Sequence, residues 1–208
     1  PNKDSWHGEY TELKSLLTEE EYAAARSSTL TAFYTPPEVI DAMYTALRKM
    51  GVGAGTILEP SMGVGAFFGQ SHSYLYEPNT RLFGVELDSL TGRIARQLYQ
   101  KANIQITGFE KADLPDSFFD VVIGNVPFGD YSVVDPQYNR LHFKIHDYFF
   151  AKSIDKLRTG GIIAFITTSG TLDKKSEEVR KYINARCDFI GAVRLPDSTF
   201  KSAGTKAM

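Results

Sequence analysis

The chain has 208 residues, of which 42% are hydrophobic and 23% are charged, and its formal net charge is −2 at pH 7. This composition predicts a soluble globular protein with one core. Its apolar runs are too short to cross a bilayer, and its single cysteine cannot form an internal disulfide, which favours a reducing, cytoplasmic location. The acidic balance is unusual for a self-sufficient nucleic-acid binder, and four scattered histidines do not predict a metal site.

The ends of the sequence indicate a piece of a longer protein. It begins with Pro1 rather than methionine, and its last residues up to Met208 carry no obvious stop signal. We therefore expect other domains of a larger parent protein to supply part of the affinity for the substrate.

The first thirty residues form a predicted helical segment, residues 1–30, ahead of a larger domain at 31–208. Thr18 and Glu21 have the spacing of a capping box, which predicts two short helices in tandem. Further on, Thr35 can cap a helix whose first position is Pro36.

Strands and helices alternate along the remainder of the chain. The predicted strands cover residues 56–59, 82–86, 104–107, 119–124, 162–167 and 189–195. Alternation of this kind predicts an α/β fold with a doubly wound, mostly parallel sheet. Residues 196–208 are polar and contain no run suited to a seventh strand.

The first strand leads into a glycine loop. Glu59 ends the strand, and the loop that follows contains Gly63 and Gly65 before a short helix. Strand, glycine loop and helix are typical of dinucleotide-like sites, in which glycines let the backbone approach a ligand. The second strand ends at Glu86, where a ribose-binding carboxylate is expected in such folds.

The central strand, residues 119–124, stops at Asn125-Val126-Pro127-Phe128. The Asn125 side-chain oxygen and the Val126 carbonyl can accept both N–H bonds of a planar amine and turn its lone pair toward an electrophile. Phe128 can stack on the ring that carries the amine. An ordinary strand-to-loop turn has the same residue types, so this stretch alone leaves both interpretations open.

A long loop follows this turn and mixes aromatic rings with positive charge. Its relevant residues are Tyr131, Tyr138, Arg140, His142, Phe143 and Lys144. They suit base stacking and phosphate contact, although a mobile surface loop has the same composition. The next residues, His146 and Asp147, open a helix and are interpreted as dipole and capping groups rather than a catalytic pair.

In order from Phe33 to Phe200, these motifs resemble those of the N6-adenine DNA methyltransferases that use S-adenosylmethionine. The stretch Phe-Tyr-Thr-Pro from Phe33 is similar to the family's first cofactor motif, the loop up to Gly65 to its glycine motif, and Asn-Val-Pro-Phe to its catalytic motif. The form Asn-Val-Pro-Phe-Gly is usual in helicase-methylase proteins of mobile elements. The resemblance implies a Rossmann-like class I methyltransferase domain at 31–208, S-adenosylmethionine as cofactor and a place in restriction-modification.

The resemblance also implies roles for individual residues. The implied catalytic residues are Asn125, Val126, Pro127 and Phe128. The implied cofactor-binding residues are Tyr34, Thr35, Glu59, Pro60, Ser61, Gly63, Gly65, Glu86, Leu87, Phe109, Glu110 and Asn125. The implied substrate-binding residues are Phe128, Tyr131, Arg140 and Lys144, and no metal is implied. Asp113 is a second candidate for the role of Glu110, and Val126 departs from the family, which usually has proline there.

The resemblance predicts methylation of the N6 amine of adenine in DNA. Two alternatives stay open: another planar amine, such as a protein glutamine or an RNA base, or a non-catalytic cofactor-binding domain of a DNA-processing protein. Glutamine modifiers usually carry tyrosine where this chain has Phe128, which favours DNA. Because the family's target-recognition domain is not expected within 31–208, this chain should bind DNA only weakly.

In the family fold, a last strand inserts beside the strand predicted at 189–195, and this chain has no run for it. The sheet is therefore expected to lack its last strand. Residues 189–195 should border a gap, leave the sheet or be completed by another chain.

Overall fold

Five parallel strands form the sheet in the computed structural model, which describes residues 6–28, 34–53, 55–71, 79–196 and 198–200. The strands are β1 (Thr56–Glu59), β2 (Arg81–Glu86), β3 (Asn103–Ile106), β4 (Phe119–Asn125) and β5 (Leu157–Ile166). The helices are α1 (His7–Leu16), α2 (Glu19–Ser28), α3 (Pro37–Lys49), α4 (Ala66–Ser71), α5 (Ser89–Leu98), α6 (Ile145–Lys156), α7 (Gly170–Asp173) and α8 (Glu178–Asn184). In these ranges no helix has the length and apolar character to cross a membrane.

The sheet has the strand order β3-β2-β1-β4-β5. β1 pairs in parallel with β2 on one side and with β4 on the other. The order therefore reverses between β1 and β4, and ligands of open α/β sheets bind in the crevice at such a switch point. The predicted α/β class, with a doubly wound and mostly parallel sheet of the class I methyltransferase type, is confirmed.

Alternating side chains of the central strands form two cores on opposite faces of the sheet. Ile57 and Val121 pack with α3, α4 and α5, whereas Leu58 and Val122 pack with α6. Successive strand side chains point to opposite faces, so a strand covered on both sides is continuously apolar. This explains the continuous hydrophobic run at residues 121–123 of β4.

The predicted capping box at the start of α2 is confirmed. The Glu21 carboxylate accepts the Thr18 N–H at 3.0 Å, and the Thr18 hydroxyl accepts the Glu21 N–H at 3.2 Å. The same Glu21 forms an ion pair with Arg93 of α5 at 2.5 Å. This ion pair attaches α2 to the domain beside α5.

The predicted start of α3 is wrong by one residue. Pro36, not Thr35, is the N-cap residue of α3, and the helix begins at Pro37. A proline forces the residue before it out of the helical region, and Pro36 is indeed extended, with ψ 138°.

The strand predicted at 189–195 is not formed. These residues lie outside the sheet, which is one of the three outcomes expected for a sheet that lacks its last strand. The large side chains of Phe189, Ile190 and Val193 are exposed, and in the described part of the chain β5 is the last strand on that side. A strand needs a paired neighbour, so a β-favouring sequence without one stays irregular.

Candidate active site

The glycine loop after β1 is held in place by backbone bonds. Met62 N–H donates to the Val85 carbonyl at 2.9 Å, and Gly65 N–H donates to the Met62 carbonyl at 2.8 Å. Gly63 and Gly65 both have left-handed backbone conformations, with φ of 56° and 86°. Pro60 and Ser61 begin the loop, so the four predicted residues of this motif lie together at the carboxyl end of β1.

The two glycines of this loop have different neighbours. A Cβ atom on Gly63 would meet nothing within 4 Å, which leaves the backbone there open to a ligand. A Cβ atom on Gly65 would overlap the Tyr99 ring, whose hydroxyl donates to the Gly65 carbonyl at 2.7 Å. Sequence reasoning missed Tyr99 as the support of this loop, because no local pattern connects the end of α5 with it.

Replacing Gly65 with alanine should destabilise the fold more than the same change at Gly63. Both variants place a side chain at positive φ, which costs about 1–3 kcal/mol. Gly65→Ala adds an overlap with Tyr99, and overpacking of this kind typically costs about 1–3 kcal/mol more. Urea unfolding of both variants measures the difference, and equal losses of stability would contradict the role given to Tyr99.

Glu86 connects the glycine loop to the end of β2. Its carboxylate accepts the Gly63 N–H at 2.7 Å through Oε2 and the Asp88 N–H at 2.8 Å through Oε1. Burial raises the pKa of Glu86, and the N–H groups of Asp88 and Gly63 act in the opposite direction. Each carboxylate oxygen can accept a further bond, so hydroxyl donors of a ligand can still be bound. Leu87 follows and is 76% exposed at the same edge of the sheet.

Glu59 is an acid buried at the carboxyl end of β1, with 2% of its surface exposed. Its Oε2 has no hydrogen-bond partner among the described residues. Burial, and secondarily the charge of Glu86, raise the pKa of Glu59 well above its usual range. A buried acid of this kind is neutral or paired with a cation, so the position suits a positively charged group of a ligand.

Asn125 ends β4 next to the glycine loop. Its backbone carbonyl accepts the Ser61 hydroxyl at 2.9 Å. The Val126 side chain is buried, and its N–H donates to the Ile166 carbonyl of β5 at 3.2 Å. Proline has no N–H, so valine here provides a bond to β5 that the usual family residue cannot make. Pro127 and Phe128 follow and are half-buried.

The segment after β3 carries two more predicted cofactor residues. Phe109 and Glu110 belong to a short 3₁₀ turn, Phe109–Lys111. The Phe109 ring is buried and packs on Phe149, with 4.9 Å between ring centroids. Glu110 is half-buried, and its carboxylate is folded over Gly108. Asp113, the second candidate, is exposed and donates its N–H to the Gln105 side chain at 2.9 Å.

Tyr34 and Thr35 lie immediately before α3. Tyr34 is exposed and Thr35 is half-buried. The Tyr44 hydroxyl of α3 donates to the Phe67 carbonyl of α4 at 3.0 Å, so α3 packs beside the helix that follows the glycine loop.

The loop at 130–144 presents exposed side chains from Tyr131 and Arg140. Lys144 forms an ion pair with Asp130 at 2.7 Å across the base of the loop. The loop also contains the buried Asp135, which sequence reasoning missed because a single acid in a polar loop is normally solvated.

His146 and Asp147 are both buried in the first turn of α6. Asp147 forms an ion pair with Lys174, and its Oδ2 is 3.6 Å from His146 Nε2. Burial lowers the pKa of His146, against the attraction of Asp147. The interpretation of Asp147 as a capping group is thus incomplete, because its main partner lies on another segment.

The family to which the chain belongs follows from a comparison with models of known protein families. A family model described as N-6 DNA Methylase matches residues 16–208. The chain belongs to this family. The resemblance drawn from the motifs is thereby confirmed.

This N-6 DNA methylase domain has a relative among phage proteins. It is 29% identical over 182 residues to the "Defense against restriction protein B" of Escherichia phage P1, a match that covers 85% of this chain and 8% of the phage protein. The chain therefore spans a small part of that protein's length.

Two solved structures share the fold of this domain. The methyltransferase subunit of a type I restriction-modification system from Streptococcus thermophilus has a TM-score of 0.59 at 23% identity, over 73% of this chain and 38% of that chain. A SAM-dependent O-methyltransferase from Thermotoga maritima has a TM-score of 0.51 at 15% identity, over 74% of this chain and 51% of that chain.

Proposed function

We propose that this domain transfers a methyl group from S-adenosylmethionine to the exocyclic N6 amine of adenine in DNA. One observation carries the proposal: the Asn-Val-Pro-Phe turn after β4 lies beside the glycine loop at the switch point of the sheet, joined to it by the Ser61 bond to the Asn125 carbonyl. Membership of the N-6 DNA methylase family supports the same reaction.

The residues on the β1 and β2 side fit S-adenosylmethionine. Gly63 offers an open backbone, and Glu86 has remaining acceptor capacity for the ribose hydroxyls. The buried Glu59 carboxyl suits the cationic amine of the cofactor's methionine part. Glu110 would accept the adenine amine, and the exposed Leu87 would pack on the adenine ring. When bound, the cofactor supplies an electrophilic methyl group on a sulfonium.

The residues on the β4 side fit a planar amine as acceptor. The Asn125 side-chain oxygen and the Val126 carbonyl would accept its two N–H bonds and orient its lone pair, so that no strong base is required. Phe128 would stack on the adenine base, and this stacking would offset part of the cost of taking the base out of the duplex. Val126, held by its bond to β5, fixes the turn that presents its carbonyl.

The acceptor class is tested with the intact parent protein and methyl-labelled cofactor. DNA, RNA and protein are offered as separate acceptors, and label in DNA is the expected result. Label confined to RNA or to protein glutamine would show that this molecule, and not DNA, is the methyl acceptor. Absence of label from all three would leave a cofactor-binding domain without catalysis.

Binding of the cofactor should release a proton from Glu59. The raised pKa keeps this carboxyl protonated to a higher pH than an ordinary glutamate, whereas pairing with the cofactor amine requires the ionised form. Affinity should therefore rise with pH up to the pKa of Glu59 in the free protein and level off above it. Calorimetry of S-adenosylhomocysteine binding in buffers of different ionisation enthalpy counts the protons released.

Two variants separate Glu59 from the other acid with a raised pKa. Glu59→Gln should abolish the proton release. Glu86→Gln should weaken cofactor binding, but the remaining binding should still release a proton. Proton release that persists in Glu59→Gln would show that this carboxyl does not pair with the amine.

A further inference from the structure

Two lysines on α6, one helical turn apart, reach across to the segment that follows β3. Lys152 Nζ donates to the Glu110 carbonyl at 3.1 Å, and Lys156 Nζ donates to the Leu114 carbonyl at 2.8 Å. Their side chains are 7% and 11% exposed. The two lysines therefore attach the same segment to the same helix in the same way.

The two lysines differ in their carboxylate partners. Lys156 pairs at 2.6 Å with Asp116, which belongs to the segment itself and has a side chain 63% exposed. Lys152 pairs at 3.1 Å with Asp135, which belongs to the 130–144 loop and has a side chain 7% exposed. The short turn Phe109–Lys111, which contains Glu110, is called the Glu110 turn below. Of the two lysines, only Lys152 connects the Glu110 turn to the 130–144 loop.

Asp135 organises the middle of the loop. Its carboxylate also accepts the Tyr148 hydroxyl at 2.8 Å and the Gln137 N–H at 3.1 Å. Its backbone carbonyl accepts the N–H groups of Tyr138 and Asn139 at 2.9 and 2.8 Å. A shift of Asp135 would consequently move the short 3₁₀ turn Asn139–Leu141, on which Arg140 lies.

The Lys152 ammonium cannot leave this arrangement without cost. It lies 5.3 Å from the centroid of the Phe109 ring and is largely removed from water. Its positive charge is therefore stabilised by Asp135, by the Glu110 carbonyl and by that ring instead of by water. Movement at Phe109 or Glu110 therefore changes the environment of Lys152 and, through it, that of Asp135.

We propose that Lys152 is a positioning residue that couples the Glu110 turn to the 130–144 loop. The inference rests on the proposed function, in which Glu110 binds the cofactor adenine and the loop contacts the acceptor. Binding of the cofactor at Glu110 then orders the loop that carries Arg140, and engagement of the acceptor by the loop strengthens cofactor binding by the same factor.

Hydrogen exchange by mass spectrometry on the intact protein, with and without S-adenosylhomocysteine, tests the coupling. In the wild type, ligand should slow exchange at residues 109–111 and, by about fivefold or more, at residues 135–141. Lys152→Met should keep the first effect and lose the second. Lys156→Met, the matched control, should keep both.

Lys152→Met leaves Asp135 buried without its cation, so the double variant Asp135→Asn with Lys152→Met guards against misfolding. It should fold, bind ligand and lack the response at 135–141. Ligand binding without a loop response in the wild type, or a wild-type response in either Lys152 variant, would overturn the inference and leave the proposed function intact. Absence of ligand binding in the wild type would instead refute the proposed function, and the inference with it.

Discussion

Replacing Asn125 with alanine should lower methyl transfer by about 10²–10³-fold while cofactor affinity stays within a few fold. The side-chain oxygen of Asn125 is assigned to an N–H of the reacting amine, and loss of a group aimed at the reacting centre typically costs that much in rate. Its backbone carbonyl, which accepts the Ser61 hydroxyl, is retained in the variant. Single-turnover assays and calorimetry measure the two quantities separately.

Asn103→Ala is the matched control for this variant. Asn103 is exposed at the amino end of β3, at the opposite edge of the sheet from the proposed site. Its loss should leave both the rate and the affinity unchanged. Turnover of Asn125→Ala at the wild-type rate would remove Asn125 from the catalytic assignment.

Replacing Glu86 with alanine should weaken S-adenosylhomocysteine binding by roughly 10- to 100-fold, since hydrogen bonds to a charged group contribute about 1.5–3 kcal/mol. The change removes the proposed acceptor for the ribose hydroxyls. It also leaves the N–H groups of Gly63 and Asp88 without the carboxylate that orders the glycine loop. Both losses act on binding rather than on the chemical step.

Two further variants, Glu86→Gln and Glu38→Ala, serve as an intermediate case and as a control for Glu86→Ala. Gln keeps one acceptor oxygen and should give an intermediate affinity. Glu38 is an exposed acid in the first turn of α3, and its loss should have no effect on binding. Wild-type affinity in Glu86→Ala would contradict the placement of the cofactor at the end of β2.

Local patterns in the sequence were sufficient for the parts of the fold that depend on local chemistry. The apolar run of β4, the glycine loop before α4 and the Thr18–Glu21 capping box all form where they were predicted. Each of these features is determined by residues within a few positions of one another, through burial, backbone conformation or a local hydrogen bond.

Features that depend on distant partners were missed. Residues 189–195 have a strand-like sequence, but no strand in the described part of the chain pairs with them. The ion pair between Lys152 and Asp135 joins residues that are 17 positions apart. Asp135 lies in a polar loop, and the composition of that loop is also typical of a mobile surface loop. The contact between Tyr99 and Gly65 likewise arises only when α5 packs against the glycine loop.

The central claim is tested most directly by the identity of the methylated nucleoside. DNA is incubated with the intact protein and S-adenosylmethionine that carries a deuterated methyl group, then digested to nucleosides and analysed by mass spectrometry. We expect deuterated N6-methyldeoxyadenosine with the wild type and a loss of about 10²–10³-fold with Asn125→Ala. Label on cytosine, or label on adenine that is equally abundant with Asn125→Ala, would contradict the proposed acceptor and the role of the Asn-Val-Pro-Phe turn.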